Sequence, residues 1–148
     1  MNAAEQAKSL ETASKIATLV NLFKSEFPDV KADLKPWAND PDTRELVDPD
    51  SIDIGFHLPG FSRLFQSRSL LLQLRLYHDD MTGDRRAIGA ELAGFDHEGK
   101  RWWVSTVDQW QFAGDRHPSP DVAEKLKHVL RQILEMFNGA SDPGEPQE

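Results

Sequence analysis

Apolar residues near the start of the chain recur at intervals of three and four positions, which is the spacing of one helix face. They are Leu10, Ala13, Ile16, Val20, Phe23 and Phe27, and the charged residues between them fall outside this stripe. The pattern predicts an amphipathic helix from about Ala3 to Phe27. Pro28 ends it, because the residue before a proline disfavours the helical conformation.

A second helical pattern lies towards the other end of the chain. Ser119 suits the N-cap, Pro120 the first helical position, and Asp121 the positive end of the helix dipole. Gly139 suits the position just after the helix. The apolar stripe consists of Val122, Leu126, Val129, Leu130, Ile133 and Phe137. These residues predict a helix from Pro120 to about residue 138.

Between the two helices, hydrophobic and polar positions alternate with a period of two, which indicates strands that bury one face. Four segments show this alternation: Ser51–Leu58, Ser69–His78, Arg86–Asp96 and Arg101–Phe112. A shorter alternating run at Val30–Lys35 could add a fifth strand at an edge.

Glycine-containing turns join the last three of these strands. Met81–Asp84 and His97–Lys100 each carry glycine at the third loop position, which suits a type I turn followed by a G1 bulge. The resulting registers place Leu92 opposite both Leu72 and Val104, so the apolar faces match across the three strands. We therefore predict an antiparallel meander.

These elements predict an α+β fold. A four-stranded, or five-stranded, antiparallel meander sheet would carry the N-terminal and C-terminal helices packed on one face. The 148 residues suit one domain, residues 1–138, in which the Pro- and Asp-rich segment 28–50 connects helix and sheet. We expect residues 139–148 to form a disordered acidic tail.

Composition fits a soluble globular protein, with 39% hydrophobic and 28% charged residues. No run of 18 apolar residues could span a bilayer, and the N-terminus lacks a secretory pattern, so we expect a cytoplasmic protein. The absence of cysteine excludes disulfides, thiolate zinc sites and a cysteine nucleophile. Segments 28–50 and 139–148 carry −4 and −3 of the net charge of −8, so the rest is nearly neutral.

The sheet face that no helix would cover is rich in aromatic and apolar side chains. Aromatic residues and arginine are typical anchors of protein interfaces, and a contiguous exposed apolar patch usually signals contact. The sequence therefore predicts a binding surface for a protein partner, or for a second copy of the chain. Its predicted members are His57, Leu71, Arg75, Tyr77, Phe95, Arg101, Trp103 and Val107.

Two other interpretations of this face stay open. Segment 28–50 could fold over it with Trp37 and Leu46, which would leave no functional surface. Alternatively, unpaired nucleic-acid bases could stack on its aromatic residues, with Arg75 and Arg101 contacting phosphates. The low basic content and the absence of an RNP-like motif weigh against nucleic acid.

The predicted loop Pro59–Arg68 combines aromatic and basic residues. We favour the interpretation that its apolar side chains close one end of the core. The alternative is a contact loop for a partner or an anionic membrane surface. The candidate contact residues of this loop are Phe61, Arg63, Phe65 and Arg68.

One polar cluster is predicted inside the sheet. Asp108 falls on the inward phase of its strand and needs a partner there, and the register brings Arg86 and His78 near it. We favour a structural Asp108–Arg86 pair. The alternative is a small enzyme or ligand-binding domain, in which Asp108 and His78 act as acid and base in a pocket lined by Trp102 and Trp110.

No metal or catalytic motif is found in the sequence. His57 and His97 lie near one rim of the predicted sheet, but no third ligand stands at a diagnostic spacing. The Asp-rich run lacks the EF-hand order, and the Walker A, G-x-G-x-x-G, H-E-x-x-H and G-x-S-x-G motifs are missing. We expect no metal, cofactor or catalytic residue. The sequence thus favours a non-catalytic binding or assembly protein that forms a homodimer.

Overall fold

The computed structural model describes residues 1–37, 47–83 and 85–139. Its helices are α1 (Ala3–Gln6), α2 (Leu10–Glu26) and α3 (Pro120–Phe137). Its strands are β1 (Lys31–Asp33), β2 (Ser51–Ser62), β3 (Ser67–His78), β4 (Arg85–Asp96), β5 (Gly99–Ser105) and β6 (Phe112–Gly114). The predictions for Leu46 and for residues 140–148 lie outside the described residues.

The described strands form one six-stranded antiparallel sheet in the order β1-β2-β3-β4-β5-β6. Each strand pairs with its neighbours in sequence, as a meander requires. The predicted α+β class is therefore confirmed, and two short edge strands, β1 and β6, flank four longer ones. The registers that place Leu92 opposite Leu72 and opposite Val104 are confirmed.

The two long helices cover the leucine face of the sheet. Leu72, Leu74 and Leu92 are completely buried there, together with side chains from α2 and α3. Phe23 of α2 stacks on Phe56 of β2 with ring centroids 4.0 Å apart. One continuous apolar core thus lies between the helices and the sheet.

The core holds a buried tryptophan at one end. The Trp102 indole N–H donates to the backbone oxygen of Phe65 at 2.7 Å, which satisfies its only polar group. Gly94, opposite Trp102 in the register, is in close contact with the indole, and a β-carbon at that position would overlap the ring. Glycine is therefore required at residue 94.

The N-terminal helix is divided, contrary to the single helix predicted from Ala3 to Phe27. Ser9 accepts a hydrogen bond from the Thr12 N–H and starts α2 afresh. Leu10, predicted to lie on the apolar stripe, is 84% exposed, and Leu19 is completely buried instead.

The predicted loop Pro59–Arg68 is mostly strand. β2 continues to Ser62 and β3 begins at Ser67, with a shift in register between His57 and Ser62. This irregularity accommodates Pro59, which has no N–H to donate to a regular ladder.

The sequence predicted one strand from Arg101 to Phe112, and this prediction was wrong because the segment contains two strands joined by a turn. β5 ends at Ser105, the chain turns, and Phe112 begins β6 beside β5. Gln109 and Trp110 lie in the left-handed region, with φ of 61° and 60°, which reverses the chain.

Side-chain amides close two gaps in the backbone pairing. Asn138, after α3, accepts a hydrogen bond from the Ala87 N–H (2.9 Å) and donates one to the Ala87 oxygen (3.1 Å). Asn2 makes the same double contact with the backbone of Trp37, at 2.9 and 3.2 Å. The Asn138 amide takes the place of a neighbouring strand beside β4, whereas the Asn2 amide satisfies the backbone of a residue outside the sheet.

Candidate functional site

We call the outward side of the sheet, opposite the helices, the open face. The register arranges its side chains in rows that run across the strands. The first row contains His57, Ser69, Phe95 and Lys100; the second Gly55, Leu71, Ala93 and Trp103; the third Asp53, Gln73, Glu91 and Ser105; the fourth Ser51, Arg75 and Gly89. Apolar residues dominate the second row and polar residues the third.

Three apolar side chains project from the end of the open face beyond the fourth row. Val107 is 79% exposed, Tyr77 52% and Ile88 49%. Phe95 and Trp103, nearer the other end, are half-buried. The alternation of Arg86–Asp96 predicts that Ile88 points inward with Leu92, but a shift in register between Arg75 and Leu76 puts it on the outward side. The bulge therefore adds an exposed apolar residue to the predicted surface.

Residues 33–37 cover the β2 end of the open face. The Trp37 indole N–H donates to the Asp53 carboxylate. A β-carbon placed on Gly55 would lie 3.5 Å from Pro36, so this strap lies directly against the sheet. Trp37 therefore covers part of the open face, as one interpretation of segment 28–50 proposed. Phe95 nevertheless keeps part of its surface exposed.

Asp53 is a buried carboxylate that the sequence analysis missed. It is fully buried beneath the strap and lies 3.0 Å from the Met1 ammonium. The Ser51 hydroxyl donates to it at 2.8 Å. Asp53 stands between Ile52 and Ile54 in a period-two pattern, which placed it outward but gave no signal that it would be buried.

Arg101 is surrounded by carboxylates and is not available for phosphate. Its guanidinium contacts Asp96 at 2.9 Å, Glu98 at 2.7 Å and Asp115 at 3.1 Å. The hydrogen bond to Asp96 and the nearby charges raise the pKa of Arg101. The other predicted phosphate contact, Arg75, pairs with Asp48 at 2.9 Å.

These contacts favour the ionised form of Asp96. Burial alone would raise its pKa, but the Glu98 backbone N–H and the Arg101 guanidinium together lower the pKa of Asp96 below 3.8. Nearby, the Lys100 ammonium lies 5.1 Å from the centre of the Trp103 ring, a cation–π distance.

Besides a depression of about 350 Å³ beside His57 and Phe95, two smaller ones lie on the open face. One, of about 240 Å³, is bounded by the strap residues Pro36 and Trp37 and by Leu71 and Phe95. The second, of about 260 Å³, has Gly89 among its lining residues. The other lining residues of the second depression include Gln73, Arg75, Ile88, Glu91 and Val107. Both depressions have the size of one or two side chains, smaller than typical ligand pockets.

Of the four residues of the β2–β3 hairpin that the sequence offered as partner contacts, one is buried and three are exposed. Phe65 is buried against Phe27, with ring centroids 5.1 Å apart, so it closes the core as favoured. Phe61, Arg63 and Arg68 are exposed. The aromatic residues of this segment therefore do not share one side.

The predicted polar cluster does not form. Asp108 is exposed, because β5 ends before it and the alternation that placed it inward no longer applies. Arg86 and His78 are exposed too, and no ion pair joins Asp108 to Arg86. Trp102 lies in the packed core, away from a solvent pocket. The acid–base pocket considered from the sequence is thus not assembled.

The described residues hold no group of three histidine or carboxylate side chains that could bind a metal ion. His57 lies 3.3 Å from Asp33, and His97 is exposed. Within the same residues, no helix is long and apolar enough to cross a membrane.

Comparison with known proteins identifies a family that covers nearly the whole described domain. A family model described as a domain of unknown function matches residues 4–139. The chain belongs to this family. Comparisons with curated proteins and with solved structures gave no match. The family description names no activity, so the function is argued from the geometry of the open face.

Proposed function

We propose that this protein is a non-catalytic binding or assembly protein that docks a second copy of itself through the open face. The observation that carries this proposal is the projection of Ile88 and Tyr77 from the strands, and of Val107 from the turn after β5, on the side of the sheet that the helices leave uncovered. Burying one such side chain contributes roughly 1.5–3 kcal/mol.

The shape of the open face supports self-association. Projecting apolar residues lie at one end, and a depression walled by Trp37 and Phe95 lies at the other. In a symmetric dimer the same patch meets itself, so a projection and a recess on one face are able to fit the recess and the projection of the second copy.

The charges of the open face favour a protein over nucleic acid. Arg101, one of the two predicted phosphate contacts, is held by three carboxylates, so only Arg75 of that pair is left to contact a phosphate. Nucleic-acid binding depends on cations that release counterions from phosphate, and the chain carries a net charge of −8. The aromatic side chains then serve as apolar anchors.

A charged substitution at the most exposed apolar position tests the proposal. We expect the wild-type chain to sediment as a dimer at micromolar concentration and Val107→Asp to sediment as a monomer, because burying an unpaired carboxylate is costly. Leu10→Asp is the matched control, since Leu10 is 84% exposed in α2 and lies outside the open face. It should remain dimeric.

A wild-type chain that stays monomeric at every concentration contradicts self-association. Equal weakening by Val107→Asp and Leu10→Asp would also contradict the proposed surface, because the effect would then depend on charge rather than on position.

A further inference from the structure

Arg75 and Glu91 are opposite charges that lie side by side on the open face without pairing. Arg75 stands opposite Gly89, and Glu91 lies opposite Gln73, so the two are diagonal neighbours on adjacent strands. Both line the depression of about 260 Å³. Arg75 instead contacts Asp48 at 2.9 Å, and its side chain is 67% exposed.

Glu91 has no ion pair within the described residues, although it is half-buried in the strand surface. The third-row carboxylate at the β2 end, Asp53, is by contrast neutralised by the Met1 ammonium. A partly desolvated carboxylate without a counterion is unfavourable, and a cation brought by a partner would remove this cost.

The depression has room for such a cation. Its volume of about 260 Å³ is enough for a guanidinium group. Val107 closes the side above Gly89, where a β-carbon would lie 3.2 Å from its side chain. Ile88 and Val107 line the same depression, so they would exclude water from an ion pair formed inside it.

From this arrangement we infer that a second copy docks about a two-fold axis through this depression, so that Arg75 of each chain pairs with Glu91 of the other. When a two-fold axis passes between two neighbouring residues of opposite charge, each of them meets the opposite charge on the other chain, so two equivalent ion pairs form. A symmetric interface needs this self-complementarity. The exposed Arg75–Asp48 contact is weak enough to be exchanged. This inference rests on the proposed function.

Charge exchange tests the inference. Glu91→Arg and Arg75→Glu should each raise the dimer dissociation constant at least about tenfold, because each sets two like charges together at the interface. The double variant should return to within about threefold of the wild-type value, since both pairs form again with reversed sign. Sedimentation equilibrium gives the dissociation constants, and circular dichroism confirms folding.

Two controls match these changes in net charge. Glu5→Arg and Lys125→Glu alter exposed helix residues that make no ion pair in the described chain and lie off the open face. Each should change the dissociation constant less than about threefold. They separate a local ion pair from the general effect of charge.

The outcomes separate this inference from the proposed function. Recovery of dimerisation in the double variant supports the Arg75–Glu91 pairs. A wild-type dimer whose single variants behave like the controls, or whose double variant stays as weak as the singles, overturns the pairs but leaves self-association standing. A wild-type monomer overturns both.

Discussion

At the scale of single residues, the charged side chains of the open face differ in whether an opposite charge lies beside them. Asp53 is neutralised by an ammonium group and two hydrogen-bond donors, and Arg101 by three carboxylates. Glu91 has no such partner among the described side chains. Interfaces use charges of this kind for orientation, whereas saturated clusters stabilise the subunit itself.

The Asp96–Arg101 contact should make stability depend on pH. The pKa of Asp96 is lowered in the folded chain, so its contribution is present above 3.8 and is lost as pH falls through the folded value. Asp96→Asn should therefore lower the urea midpoint at pH 6, and the difference from wild type should shrink towards pH 2. Asp29→Asn, at an exposed residue, should show no such difference.

The pH dependence of Asp96→Asn can also contradict a stabilising role for the ionised carboxylate. If the deficit of Asp96→Asn were the same at pH 6 and at pH 2, the ionised carboxylate would not be the source of the stabilisation.

Single residues of the site were predictable where the alternation is regular. Leu71, Phe95 and Trp103 face outward as their phase indicated. Ile88 was misplaced because a bulge shifts the phase of β4 by one residue, and Asp108 because β5 ends before it and the alternation stops. A period of two carries no record of such a change.

At the scale of secondary-structure elements, β4 is paired with strands on both sides along only part of its length. β5 pairs only with its second half, from Glu91 to Asp96. In the first half, Thr106 pairs with Ala90 and Asn138 pairs with Ala87. The end of α3 therefore closes a strand edge that would otherwise be open to other chains.

Asn138→Ala should destabilise the domain by about 1 kcal/mol, because it removes two hydrogen bonds from the β4 backbone. Chemical denaturation measures the loss, and hydrogen exchange at the Ala87 amide should become faster. Asn21→Ala, on the exposed surface of α2, is the matched control and should be close to neutral. Unchanged exchange at Ala87 would mean that the amide does not close this edge.

The elements themselves were predictable in type but not at their ends. Pro59 and Gly60 indicated a loop, yet they lie within an irregular part of β2. The turn after β5 uses Gln109 and Trp110 at positive φ, where a sequence pattern would expect glycine. In both places the backbone conformation depends on tertiary packing, which local residue preferences do not reveal.

At the scale of the whole molecule, the sheet has two unequal apolar faces. α2 and α3 cover the leucine face completely, whereas the strap covers only the β2 end of the open face. This asymmetry was predictable from the count of helices and the phase of the strands. The strap was not, because its position depends on long-range contacts from Asn2 and Asp53.

A single introduced cysteine gives the most direct test of the open face as a self-association surface, because the chain contains none. Gln73→Cys places the thiol in the central depression, and Ser14→Cys places it on the exposed side of α2 as the control. Under mild oxidation at micromolar concentration, we expect Gln73→Cys to become a disulfide-linked dimer and Ser14→Cys to remain mostly monomeric on a non-reducing gel. Equal cross-linking of the two variants, or none at residue 73, would contradict it.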